Sequence, residues 1–116
     1  MSSEIETLID EFTAAAVEYG DAMKIGDPRS AKRHRDRVAT AYRRLVEHGG
    51  TGQASLLALL ATNDLAVRYM TAVHALDFAP TEGERVLIDI MNGPPSPLRL
   101  LAQISLSQWR SGMLRF

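Results

Sequence analysis

Residues 56–76 read Leu-Leu-Ala-Leu-Leu-Ala-Thr-Asn-Asp-Leu-Ala-Val-Arg-Tyr-Met-Thr-Ala-Val-His-Ala-Leu. Two leucine pairs lead into a Thr62-Asn63-Asp64 break, and an apolar series with helical spacing follows. Leu65, Tyr69, Ala72, Val73 and Leu76 fall on one face of a helix. The same arrangement returns 31 residues later. Leu56, Leu57, Leu59 and Leu60 align with Leu87, Ile88, Ile90 and Met91, and Val67-Arg68 aligns with Leu98-Arg99. Met70, Val73 and Ala75 align with Leu101, Ile104 and Leu106. A repeat of this length reads as a pair of helices, short then long. One pair cannot bury both of its faces, so neighbouring pairs stack.

Working outward, the helix punctuation is regular. Ser3 with Glu6 is a capping box and Gly26 can close the helix it opens. Asp27-Pro28 supplies an N-cap and a proline at the first helical position. Gly49-Gly50 stops the second helix, Thr51 starts a third, and Thr62-Asn63 breaks it and caps a fourth. Pro80-Thr81 opens a fifth, with Glu84 completing a second capping box, Ser96-Pro97 opens a sixth, and Gly112 ends it, leaving a tail over 113–116. In the first helix Ile5, Leu8, Ile9, Phe12, Ala16, Tyr19 and Met23 form an apolar stripe. In the second, Val38, Tyr42, Leu45 and Val46 do. No segment alternates as a strand does. The expected fold is all-α in one domain, residues 1–116. A charged hairpin over 3–49 precedes two helix pairs over 51–110.

Over about residues 51–110 the chain resembles HEAT or armadillo-like α-helical repeats, which read L-L-x-L-L, an Asn/Asp turn, then V-R-x-x-A-x-x-A-L. The second copy matches at Leu98-Arg99, Ala102, Ser105 and Leu106. The first slips after Val67-Arg68, with Thr71 in place of the usual alanine. The whole chain is also similar to a small bacterial family of uncharacterised single-domain proteins with a long hairpin, a Gly-Gly loop and a leucine-rich pair. The resemblance implies a right-handed α-α superhelix with a concave face, and no activity, because fold does not fix function.

Composition excludes several classes. The 116 residues carry a net charge of −1, 46% apolar residues and no cysteine, so disulfides, thiolate metal sites and cysteine nucleophiles are absent. The longest apolar run, 56–61, is six residues, against the roughly 20 of a membrane span. The acidic N-terminus is unlike a secretory signal. A cytoplasmic protein without membrane attachment is the expectation. No metal spacing joins His34, His48 and His74, and no phosphate loop or serine elbow occurs. The chain therefore reads as non-enzymatic and without a cofactor.

Three surfaces remain as candidates. The first is the face of the fourth and sixth helices, with Arg68, Thr71, His74, Phe78, Arg99, Gln103 and Trp109, offered to a protein partner. Arg68 and Arg99 fit better an arginine ladder tying neighbouring repeats together through carboxylates or helix-end carbonyls. The second is the stripe Arg29, Arg33, Arg37 and Arg44 on the second helix, which reads first as half of a self-paired hairpin, because the first helix carries Glu4, Glu6, Asp10, Glu11, Glu18 and Asp21. Its alternative is a stripe that follows phosphates. The third is the sixth helix itself. Leu98, Ala102, Leu106 and Trp109 mark one side, and Leu100 and Ile104 another. The second side is open to a homodimer, to the tail or to cover by the second helix. The loop His48-Gly49-Gly50-Thr51-Gly52 reads as a C-cap followed by an N-cap.

Overall fold

The computed structural model describes residues 3–116; residues 1 and 2, which open the expected domain span, lie outside the described residues. Among the described residues there are six α-helices and no strand. In chain order they are α1 (Glu4–Ile25), α2 (Pro28–Glu47), α3 (Gly49–Leu57), α4 (Leu65–Ala75), α5 (Pro80–Met91) and α6 (Pro97–Arg110). A 3-10 turn, Ala58–Ala61, follows α3.

Local chemistry accounts for most boundaries. Ser3 accepts a hydrogen bond from the Glu6 N–H at 3.0 Å, Asp27 from that of Ser30 at 3.1 Å, and Ser96 from that of Arg99 at 3.1 Å. Each satisfies a donor that the first turn of a helix leaves free. Two starts differ from expectation. Asp64, not Asn63, caps α4 through the Val67 N–H. α5 begins at Pro80 behind Ala79, with no side-chain cap, so Thr81 and Glu84 form no capping box. Pro80 itself takes the first helical position, which places Thr81 one residue inside the helix. The Gly-Gly loop is also tighter than expected. Gly49 adopts φ +63°, which turns the chain out of α2. Helix then resumes at once, so Thr51 lies within α3 rather than in front of it.

α4 is the centre of the molecule. α1, α5 and α6 all pack on it, and no residue from 65 to 76 is exposed. A helix enclosed in this way buries its polar positions along with its apolar stripe. α1 forms a long hairpin with α2 and reaches across α4 to α6. Leu8, Phe12, Ala16 and Tyr19 of its expected stripe are buried, as are Val38, Tyr42 and Leu45 of α2, whereas Val46 is exposed. Phe12, Leu45, Leu56, Leu87 and Leu106 are the large side chains most completely removed from water. Each stabilises the fold by about 1.5–3 kcal/mol relative to exposure. The Cα radius of gyration is 13.3 Å, close to the ~13 Å of a folded globule of this length.

Two close helix approaches share one residue pair at the 31-residue offset. A Cβ on Gly52 would lie 2.1 Å from the Leu45 carbonyl oxygen. A Cβ on Gly83 would lie 2.6 Å from the Ala72 oxygen and 3.0 Å from the Leu76 nitrogen. Gly52 and Gly83 are 31 residues apart, and so are Leu45 and Leu76. Only glycine permits these approaches, by which α3 meets the end of α2 and α5 meets α4.

Candidate functional site

The face expected on the fourth and sixth helices is not one surface. Thr71 is 0% exposed and His74 9%, because the enclosure of α4 leaves no solvent side for them. This corrects their assignment to an exposed face. Arg68, Phe78 and Trp109 are half-buried, and Arg99 and Gln103 are exposed. Gln103 lies in a separate shallow depression with Met91 and Arg110. The arginine ladder is not formed: among the described residues Arg68 and Arg99 enter no ion pair.

What the second helices do enclose is a cleft of about 400 Å³. α2 lines it with Arg35, Asp36 and Ala39, α4 with Tyr69, Met70, Val73 and His74, and α6 with Leu101, Ile104, Ser105 and Gln108. Tyr19 of α1 and the tail residues Leu114, Arg115 and Phe116 complete it. The floor is aromatic and hydroxylated. The Tyr19 and Tyr69 rings lie 9° from parallel with centroids 6.5 Å apart. The Tyr69 hydroxyl and Ser105 Oγ share a hydrogen bond of 2.8 Å. Burial pushes the Tyr69 hydroxyl up to about 12 and raises that of Tyr19, in both cases against the opposing positive charge of Arg35. Both hydroxyls therefore remain protonated near neutral pH and can donate. Ile104, 42% exposed, supplies an apolar wall. A volume of this size matches small-ligand and side-chain clefts of about 300–1,000 Å³. Shallower depressions of about 330–430 Å³ lie elsewhere on the surface, and a narrow recess between α1 and the starts of α4 and α6 holds about 80 Å³.

His74 closes one end of the cleft. Its ring meets Phe12 edge-on at 5.7 Å, Tyr42 at 4.7 Å and Phe116 at 5.9 Å. Nδ1 donates to the Met70 carbonyl oxygen at 2.8 Å, which fixes the hydrogen of the neutral ring on that atom. Burial holds its pKa below the usual histidine value. The Met70 carbonyl and the Asp77 charge oppose that shift, and Arg43 adds to it. The Tyr42 hydroxyl donates to the Asp77 carboxylate. Burial, then this bond, raise the Tyr42 pKa.

Among the described residues one arginine of the charged hairpin pairs across it, and His48 at the end of α2 lies 3.5 Å from Glu4. Arg37 donates to Glu18, and also to His34 Nδ1 at 2.8 Å. The Arg37 hydrogen bond holds the Glu18 carboxyl below its usual range. Arg29, Arg33 and Arg44 have no carboxylate partner among the described residues; Arg33 donates to Ser30 Oγ at 3.3 Å instead. On α6, Leu98, Ala102 and Leu106 are buried, while Leu100 stays 59% exposed. α2 therefore does not cover that side. The tail reaches the core through Leu114, and Met113 stays exposed.

Sequence reasoning placed His74 among the candidates and missed Tyr19, Arg35, Tyr69, Ile104, Ser105 and Arg115 as cleft residues. Tyr19 and Tyr69 were assigned by spacing to the core stripes, which is where their rings lie. The available signal was their hydroxyls, since a buried tyrosine needs a polar partner or water within reach. No helix among the described residues is long and apolar enough to cross a membrane. Comparison with protein-family models, with curated proteins and with solved structures gives no significant match to this chain.

Proposed function

We propose that this chain is a small non-catalytic protein-interaction module, an abbreviated HEAT/armadillo-like superhelix that takes a segment of a partner protein on its concave side. The observation that supports it is the cleft of about 400 Å³, to which the second helix of each pair contributes side chains. In stacked helix pairs the second helices line the inner surface, and such surfaces are extended binding faces. The repetition of the Gly52 and Gly83 contacts at the spacing of the sequence repeat favours the same arrangement. The reading is tested by panning a displayed random-peptide library against the immobilised protein and against Ile104→Trp, which fills the cleft from an exposed position. Enriched peptides that bind the first and not the second support it. Peptides that bind both equally, or no enrichment, overturn it.

A second reading is favoured by Arg29, Arg33 and Arg44, which are exposed on α2 and have no carboxylate partner among the described residues. On this reading α2 binds nucleic acid along its phosphates. It requires a duplex probe to shift at about 50 mM salt, weakening as salt rises and in Arg33→Ala. No shift at that salt removes it.

A further inference from the structure

We propose that the segment this cleft accepts is acidic: a carboxylate side chain beside bulky apolar ones. This rests on the cleft being the partner-binding face. Three charged groups line it: Arg35, Asp36 and Arg115. The Asp36 carboxylate is hydrogen-bonded to Lys32 at 3.0 Å, which holds it below its usual range, and the charges of Arg35 and Arg43 act on it in the same direction. Arg35 has no carboxylate partner among the described residues. Arg115 spends one N–H on the Gly112 carbonyl, at 2.9 Å, within its own turn. A guanidinium has five N–H donors, so both side chains keep capacity for an incoming carboxylate. Arg35 lines the cleft together with Tyr19 and Tyr69, so its positive charge faces the polar floor.

Beside the hydroxyls of Tyr19, Tyr69 and Ser105 and the Gln108 amide, one wall of the lining is apolar. Val73, Leu101, Ile104 and Leu114 are side chains that a carboxylate alone would leave wet. An occupant therefore needs apolar groups next to its charge. It also needs to be narrow, since about 400 Å³ admits two or three side chains and not a folded surface. A phosphate backbone fits poorly, because it brings no apolar side chain for this wall.

The test uses the full chain labelled with nitrogen-15 and two tetrapeptides, acetyl-Leu-Glu-Phe-Leu-amide and its counterpart with Gln for Glu. Amide shifts of Tyr69, Val73, Ile104 and Gln108 are followed, with inorganic phosphate as a separate titrant. The Glu peptide is expected to bind about tenfold more tightly than the Gln peptide, the scale of a hydrogen bond to a charged group. The ratio should fall towards one in the double variant Arg35→Gln/Arg115→Gln. Equal binding of the two peptides in the cleft overturns the acidic preference and leaves the partner-binding reading standing. Shifts by phosphate that match those of the Glu peptide overturn the apolar requirement. No cleft shift with either peptide overturns the proposal as a whole. The library panning then decides the broader reading separately.

Discussion

Replacing Gly83 by alanine is expected to destabilise the protein, although alanine is the better helix former. The new Cβ would stand 2.6 Å from the Ala72 carbonyl oxygen, about 0.7 Å inside an ordinary C···O contact. It would also lie 3.0 Å from the Leu76 nitrogen. Both atoms belong to backbone, so no side-chain rotation relieves the clash and α5 must move off α4. That movement loosens Val86, Leu87 and Ile90, all buried on α5. Overpacking of this kind costs about 1–3 kcal/mol, and the helix preference for alanine returns about 0.8–1 kcal/mol. The net expectation is a loss of about 1 kcal/mol, within about 0–2, or a fall of roughly 4 °C in Tm. Gly50→Ala is the control. Gly50 is helical without positive φ, and nothing lies within 4 Å of its added Cβ. It should stabilise by about 0.5–1 kcal/mol. Urea unfolding of the three proteins, followed by circular dichroism, gives both values. If Gly83→Ala is as stable as the parent, the close α4–α5 approach is refuted.

Thr71→Val should stabilise the protein by about 1 kcal/mol, because it deletes a buried Oγ1 that has no hydrogen-bond partner. A loss of stability on urea unfolding would instead reveal a bond to that hydroxyl in solution. For His74 the folded pKa lies below the unfolded value of about 6.5. The unfolded chain therefore binds the extra proton in the interval between the two. Stability should be full above about pH 6.5 and fall as the pH drops through that interval, by at most about 1.4 kcal/mol per pH unit for one proton. Unfolding midpoints measured between pH 7 and 5 should show this slope, and His74→Phe should flatten it; an unchanged slope in the variant assigns it elsewhere. Leu100 bears on self-association. If its exposed side joins two copies, light scattering gives a dimer mass that Leu100→Asp halves. A monomer mass at all concentrations removes the homodimer.

Much of the helical framework was legible because it depends on local rules. Ser3, Asp27 and Ser96 cap their helices through their own first turns, and the α1 stripe from Leu8 to Tyr19 is buried as its spacing requires. The enclosure of α4 was not legible. Thr71 and His74 look like a polar face when α4 is read alone, and only the arrival of α1, α5 and α6 makes that face interior. The pairing of Glu18 with Arg37, but not of Arg29, Arg33 or Arg44 with any acid, depends on how α1 and α2 are rotated about their axes. Sequence spacing constrains that rotation only loosely. The cleft is the least local feature of all. Tyr19, Arg35, Tyr69, Ser105 and Arg115 come from five separate segments and meet only after packing. One signal was available and unused. Gly52 and Gly83 sit at equivalent places in the 31-residue repeat, and matched glycines inside matched helices point to close backbone approach.

The cleft as the binding face is tested most directly by a methyl shift map of the labelled protein with the tightest peptide recovered by panning. If the partner segment enters between the second helices, the perturbed methyls are those of Val73, Leu101 and Ile104. Val46 and Ile88, exposed to much the same degree as Ile104 but outside the cleft, then stay unchanged. Perturbations centred on Val46 or Ile88, with Ile104 silent, would contradict it.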